Sequence, residues 1–321
     1  MPESILSLLK SSDTFVSGED ISAHLGITRA GVWKKITALR KRGYVIKAIP
    51  SRGYRLISSP DLAQDYLLDQ TQGDLWKELI VYDSVTSTNN LTMSLADRGA
   101  IASGTVIIAD RQTRGKGRLG RTWESPAGLN IYLSIVIRPE LEPKNVTMLT
   151  ILAAVAGAAA LRKTCNIPVS IKWPNDLVIA DKKLGGILTE VRADPDRISL
   201  AVIGVGINVN MTDRDFPEEI RHSATSVRQV TGTVFSRNEI IIQFLREFEY
   251  WYGLLKTGGR TPLLDAWRKS SSTLGRKVRA TVGETSISGI AEDIDDNGML
   301  ILKMHSGERK TISVGDLTLL R

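Results

Sequence analysis

The sequence predicts an α+β chain in three parts: a winged helix-turn-helix head, a central domain on a mixed, largely antiparallel sheet, and a small terminal β-barrel. Three observations carry this. Basic residues crowd the first sixty positions behind helix-cap patterns, apolar strand-like runs alternate with helical ones in the middle, and the last fifty residues break into short strands at regular turn signals. At 321 residues with 42% hydrophobic side chains, the chain also exceeds what one core usually organises.

The head spans residues 1–60. It carries ten Lys/Arg against four Asp/Glu, so +6 of the chain's formal +7 resides there. From Ile21 to Pro60 there is no acidic residue and there are nine cations, the electrostatic footprint of a phosphate-backbone binder. Ser17 followed by Asp20 has capping-box spacing and starts a helix with Ile21 and Leu25 on one face; Gly26 ends it. Thr28 caps the next helix, whose Val32, Ile36 and Leu39 face a small core. Arg29, Trp33, Lys34 and Lys35 then turn outward, where a recognition helix meets a major groove, and the candidate DNA-binding segment is Gly18 to Thr37. "YVIKAIPSRGYRL" alternates around a turn and makes a two-stranded wing tipped by Arg52. Trp33 has a second reading, as a ring stacked beneath the wing. A basic protein-binding module is the alternative to a DNA-binding one.

Residues 58–70, "SSPDLAQDYLLDQ", read as a linker and a short helix opening the central domain, 61–270. Strands are predicted at 105–110, 131–137, 169–173 and 198–209, with a hairpin over 176–191 turning near Asp181 and Lys182. Helices are predicted at the Ala-rich run 148–161 and at 238–256. The Ala-rich run is shorter than the roughly 20 residues a bilayer crossing needs, and reads as a packed helix.

"QTRGKGRLGRTW" (112–123) packs Arg114, Lys116, Arg118 and Arg121 among three glycines. So pliable a stretch is expected to be irregular and mobile, its shape set by whatever neutralises the charge. Gly115, Gly117 and Gly120 formally spell the dinucleotide fingerprint, yet no helix follows to receive a pyrophosphate, and Pro139 precedes the acidic Glu140 downstream. A cationic flap suited to closing over phosphate or an acyl phosphate is what survives. "SVTSTNN" (84–90) offers hydroxyls and amides for a small neutral polar group, or an ordinary helix cap. Lys183 beside Gly185 and Gly186 can approach a carboxylate or phosphate oxygen.

Taken together, "STN", "GKGRLGRTW", "KWPNDL" with "KLGGIL", and "GVGINVN", in this order behind a winged head, resemble the bacterial biotin protein ligases that double as biotin operon repressors. The resemblance spans essentially the whole chain. It implies a central catalytic domain of the kind shared by class II tRNA synthetases and biotin/lipoate ligases, and an SH3-like β-barrel over 271–321. It implies ATP-dependent formation of biotinyl-5'-AMP, followed by transfer of biotin to a lysine of a biotin carboxyl carrier protein domain of the acetyl-CoA carboxylase type. The adenylate would also act as corepressor, the filled protein binding operator DNA as a homodimer.

The resemblance also distributes roles. Ser87, Thr88, Asn89 and Gln112 would hold the ureido ring of biotin, with Gly117 letting the backbone approach. Lys116, Arg118 and Lys183 would serve the carboxylate and the acyl phosphate. Arg121, Trp123 and Asn208 would face the nucleotide, and Asp176 would orient Lys183 or meet magnesium carried by ATP. In one respect the chain departs from the family: its usual G-R-G-R is G-K-G-R here, so Lys116 keeps a charge and loses a planar fork.

Rival readings are a ligand-sensing repressor without catalysis, a ligase whose head no longer binds DNA, and a lipoate-type ligase; an oxidoreductase lacks the helix after Gly120. The first residues lack a secretory pattern, and the single cysteine, Cys165, agrees with a reducing compartment, so a cytoplasmic protein with no membrane partner is expected. His24, His222 and His305 stand apart and give no metal-ligand spacing.

Overall fold

The computed structural model describes residues 4–12, 14–71, 73–282, 285–313 and 316–320. Its contacts divide the chain into two compact units, Met1–Gln72 and Gly73–Arg321.

In the first unit α1 (Ile5–Lys10), α2 (Gly18–Leu25) and α3 (Arg29–Lys41) precede a hairpin of β1 (Val45–Ile49) and β2 (Gly53–Ser58). The predicted caps form: Ser17 accepts from the Asp20 amide, Gly26 adopts the left-handed conformation, and Thr28 accepts from the Gly31 amide. Ile21, Val32 and Ile36 are buried with Leu6 and Leu9 of α1. The opposite face of α3 is exposed, and Trp33 is 59% accessible, so it stands in solvent and does not stack under the wing. Lys34, Lys35 and Arg52 are exposed as well, while Arg29 is ion-paired with Glu19 at 2.5 Å. The helix α4 (Gln64–Gln70) packs back on α1, with Asp65 paired to Arg42 at 2.7 Å and Tyr66 set edge-on to Tyr44.

The second unit is organised by a seven-stranded sheet. Its strands in chain order are β3 (Glu78–Val85), β4 (Thr105–Gln112), β5 (Ile131–Ile137), β6 (Ser170–Lys172), β7 (Asp176–Ile179), β8 (Lys182–Ala193) and β9 (Ile198–Ile207). They lie in the order β3-β4-β5-β9-β8-β7-β6, with β3 and β4 parallel and every other pair antiparallel. Between β3 and β4 runs α5 (Thr88–Asp97), a helix that the polar "STNN" start concealed. The β7–β8 turn is Ala180–Asp181, both at positive φ, one residue earlier than predicted; a two-residue hairpin turn of this twist demands that conformation at both positions.

The Ala-rich run becomes α6 (Val146–Cys165), twenty residues and therefore longer than the sequence indicated. By length and composition it could cross a bilayer; here it is a core helix with thirteen residues buried. Its small side chains let it pack on the sheet while α9 (below) covers its other side: at Gly157 an added Cβ would lie 3.0 Å from Leu177 Cδ1. Cys165 at its end is buried, and desolvation pushes its thiol up to about 12, the state of an inert core thiol.

Beyond β9 come two short helices, α7 (Glu218–Arg221) and α8 (Val227–Thr231), then the long α9 (Arg237–Lys256) and α10 (Arg260–Ser270). The chain ends in a five-stranded antiparallel sheet of β10 (Lys277–Val282), β11 (Thr285–Ile294), β12 (Leu300–Lys303), β13 (Arg309–Ile312) and β14 (Asp316–Leu319), ordered β13-β12-β11-β10-β14. Of the predicted turns, "DDNG" and "HSGE" are present, while Gly283 and Glu284 of "VGET" lie outside the described residues. This sheet is tied to the central one. Trp173, fully buried, donates from Nε1 to the Gly298 carbonyl (3.1 Å) and from its amide to Thr273 Oγ1 (3.0 Å). Gly298 itself has φ +78 and lies against α6, where a Cβ would come within 2.2 Å of Ile151 Cδ1.

Trp173→Phe leaves the Gly298 carbonyl buried without a donor, which costs about 1–3 kcal/mol. Calorimetry should show a melting temperature lower by several degrees, and an unchanged value would mean that this bond does not secure the terminal sheet. A second tether, Arg276 to Asp181 at 2.7 Å, holds the Asp181 carboxyl below the usual carboxylate range by hydrogen bonding. A depressed carboxylate contributes stability above its unfolded pKa and loses it as pH falls through the folded value. Arg276→Gln should therefore lower stability at neutral pH and flatten the acid limb of a stability–pH curve.

Candidate active site

A cavity of about 280 Å³ lies between the 112–123 segment and the middle of the sheet. All twelve residues expected to meet ligand line it: Ser87, Thr88, Asn89, Gln112, Lys116, Gly117, Arg118, Arg121, Trp123, Asp176, Lys183 and Asn208.

The floor is made of backbone. Gly186 on β8 is paired in register with Gly206 on β9, and the Trp123 ring lies over both; a Cβ on Gly206 would sit 2.6 Å from the indole Cε2. Gly204, two residues earlier on the same face, leaves room for Asn89 in the same way. The indole Nε1 of Trp123 is buried against the strand at Gly206 and has no hydrogen-bond partner among the described residues.

The glycine segment contains no regular strand and folds back as a narrow hairpin: Gly117 donates to the Arg121 carbonyl (2.7 Å), Trp123 donates to the Gly115 carbonyl (3.0 Å), and Lys116 bridges Thr122. A 3-10 turn, Arg118–Gly120, closes its tip, where the exposed Leu119 has φ +56. The glycine that matters for closeness is Gly115, where a Cβ would lie 2.3 Å from the Trp123 carbonyl oxygen and 2.6 Å from Ser125 Oγ. Gly117 has no such crowding, its nearest neighbour standing at 3.4 Å.

Cations face the cavity from two sides. On the hairpin, Lys116 and Arg121 are exposed and Arg118 is half-buried, donating from Nη1 to Asn175 Oδ1 at 3.0 Å. Asn175 is held in turn, its Nδ2 donating to the Ile187 carbonyl (2.8 Å). On the sheet, Lys183 Nζ lies 2.6 Å from Asp176 Oδ1 and 5.5 Å above the Trp123 ring, so a carboxylate and an aromatic face hold the ammonium in place. The expectation that Asp176 orients Lys183 matches this ion pair.

At the other end Ser87, Thr88 and Asn89 are buried at the start of α5. Gln112 Oε1 accepts from the Thr88 amide (2.9 Å), and Gln112 Nε2 donates to Ser125 Oγ (2.9 Å). Asn89 points differently from its expected role: its amide is engaged by Leu188, Glu190 and Ser134 within the protein. Asn208 donates from Nδ2 to the Thr225 carbonyl (3.0 Å), tying the end of β9 to the loop that forms the far wall.

That wall, Met211, Phe216, Ile220 and Ala224, was not foreseen; its residues lie in short turns and helices without apolar periodicity. Asn175 was overlooked although it stands inside a quoted motif, and a buried side-chain amide in a Pro-Asn turn beside a cationic flap was the available signal. Together the walls join an apolar slot, a hydroxyl–amide end and a cationic end, a shape for a molecule with a neutral polar head and a reacting anion.

Comparison with known proteins agrees along the whole length. Residues 81–208 match the biotin/lipoate A/B protein ligase family, 3–55 an HTH domain, and 273–319 the biotin protein ligase C terminal domain. The bifunctional ligase/repressor BirA of Bacillus subtilis (strain 168) is 38% identical over 309 residues, covering 95% of this chain and 94% of that protein. BirA of Escherichia coli (strain K12) is 35% identical, covering 94% and 92%. Among solved structures, the biotin protein ligase from Aquifex aeolicus in complex with biotin and ATP is 31% identical, with a TM-score of 0.66 over 77% of this chain and 100% of that one. With head, central sheet and terminal sheet all matched, the chain belongs to the bifunctional ligase/repressor family of biotin protein ligases.

Proposed function

We propose that the protein activates biotin with ATP, transfers it to a carrier lysine, and represses biotin genes with the adenylate as corepressor. One observation carries this reading: a single cavity places hydroxyls and amides at one end and Lys116, Arg118, Arg121 and Lys183 at the other.

The chemistry requires that pairing. A biotin carboxylate oxygen attacks the α-phosphorus of ATP, the bond to the β-phosphate breaks, and pyrophosphate leaves. Two anions meet in that step, and Lys183 with the hairpin cations lowers their repulsion. Asp176, 2.6 Å from Lys183 in the cavity wall, would hold a magnesium ion carried by ATP, which would screen the phosphate charge. In the second step the lysine amine of the carrier attacks the acyl carbon, loses a proton, and AMP departs. Arg118, anchored to Asn175, keeps the hairpin over the mixed anhydride and water away from it. The buried Ser87, Thr88 and Gln112 hold the ureido ring, and Trp123 packs against the intermediate.

The head serves the repressor activity. Its α3 presents Lys34 and Lys35 to a groove while the wing carries Arg52, and the helix cap Thr28 sets the angle of entry. A homodimer formed on adenylate binding places two heads on operator half-sites, in the cytoplasm where ATP and the carrier are found.

Lys183→Ala should reduce biotin-dependent pyrophosphate release by about 10²–10³-fold, as loss of a transition-state cation does; near-normal release would remove Lys183 from the reaction. Arg118→Gly should still form adenylate but release it about ten- to a hundredfold faster, since a charge-assisted hydrogen bond contributes about 1.5–3 kcal/mol. Filter retention of labelled biotinyl-AMP measures this, and wild-type retention would refute the closure. On operator DNA, Lys34→Ala and Lys35→Ala should each reduce the slope of log affinity against log salt by about 1. An unaltered slope would place those charges off the phosphates.

A further inference from the structure

Asn89 lies in the cavity wall without offering its amide to the cavity, and its neighbours explain why. Its Nδ2 faces two groups that can only accept, the Leu188 carbonyl oxygen at 3.1 Å and the Glu190 carboxylate at 2.8 Å. The amide is thereby oriented, and Oδ1 faces Ser134 Oγ at 2.7 Å. Ser134 Oγ also lies 2.8 Å from Thr88 Oγ1, but it has one hydrogen, which Oδ1 takes because it has none to offer.

The hydrogen of Thr88 is then held inside the network, by Gln112 Oε1 at 3.2 Å or by Ser134. From Gln112 the chain runs through Nε2 to Ser125 Oγ (2.9 Å), which donates to the Trp123 carbonyl (2.8 Å). Both ends are fixed acceptors, a carboxylate with a carbonyl at one and a carbonyl at the other. With these ends fixed, the Ser134 hydrogen goes to Asn89 Oδ1, and either internal partner of Thr88 accepts its hydrogen. What Thr88 keeps for the cavity is an oxygen lone pair.

We infer that Glu190 is a positioning residue for ligand specificity: through Asn89 and Ser134 it makes Thr88 an acceptor, so the site takes a ring edge that carries an N–H. This rests on reading the cavity as the biotin site, and it assigns a polarity to one wall of it. A ureido edge supplies that hydrogen; a dithiolane ring does not. The sheet is built around the relay, since a Cβ on Gly204 would lie 2.2 Å from Asn89 Oδ1. Glu190 is half-buried on β8 and does not line this cavity; it lines the neighbouring one, with Lys116, so its contact with the biotin end of the site runs through Asn89.

The test is equilibrium binding of labelled biotin to Glu190→Gln, Glu190→Ala, Ser134→Ala and the Glu190→Ala/Ser134→Ala pair, with KM for ATP and thermal melting measured alongside. Glu190→Gln keeps an acceptor oxygen for Asn89 Nδ2, with the Leu188 carbonyl beside it, and is the conservative rescue. Glu190→Ala and Ser134→Ala should each raise the Kd for biotin about tenfold, the effect of losing one directed hydrogen bond, with Glu190→Gln within about twofold of wild type and KM for ATP within about twofold in every variant. The pair should bind no worse than the weaker single variant, because both act through one chain. The inference is overturned if Glu190→Ala binds biotin like wild type, if Glu190→Gln binds as weakly as Glu190→Ala, if the pair is additive, or if KM for ATP rises in step. Should a Glu190 variant fail to fold, Ser134→Ala decides alone: wild-type biotin affinity in it sinks the relay. Failure of the wild-type protein itself to bind biotin would instead sink the proposed function.

Discussion

Everything in the catalytic unit depends on one bare stretch of sheet. Where β8 and β9 run side by side, Gly186, Gly204 and Gly206 leave the central face without side chains, and a tryptophan and an asparagine descend onto the backbone there. Central strands are ordinarily where β-branched residues gather, and glycine weakens a strand. The weakening is offset by neighbours on both sides: β5 on one flank is buried along its full length, and α6 closes the far face. A cavity floored by backbone is the result, with Trp123 and Lys183 side by side in its wall.

The hairpin over this floor shows how charge and packing divide the labour. Its base is secured by close backbone contact at Gly115 and by the Gln112–Ser125–Trp123 bonds, none of which involves a charge. Its cations are thereby left for the cavity and its rim. Lys183, on the opposite side, is held by Asp176 and by the indole face, so its ammonium has a fixed position before any substrate arrives. Preorganised charge of this kind need not reorient as phosphate charge develops, which is the source of its catalytic value.

How much of this was legible varied with the physics behind each signal. Caps and periodicity wrote the head plainly: Ser17, Gly26 and Thr28 act locally, and the structure places each as the sequence indicated. The strands of the large sheet were legible where they are continuously apolar, as at 131–137, and α5 was hidden because its first turn is polar and buried. The twelve expected residues that line the cavity were legible as motifs, since short strings mark where backbone and side chains close on it. The direction in which Asn89 points was not, because it is decided by Glu190 and Ser134, 101 and 45 residues away. The close contact at Gly115 was not legible either, because it is made by Trp123 and Ser125, eight and ten residues on.

The lysine at position 116 can be weighed on the same terms. A guanidinium matters where a planar fork is held in register, and in this hairpin that place is taken by Arg118, half-buried with its Nη1 on Asn175. Lys116 is exposed at the rim and pairs with Thr122 through its backbone alone, an arrangement any side chain allows. An exposed rim position asks for no planar fork, so a point charge on a flexible stem fits it and keeps the positive potential there. The departure from the family pattern thus falls where the geometry asks for charge, and the fork has been kept where the geometry asks for shape.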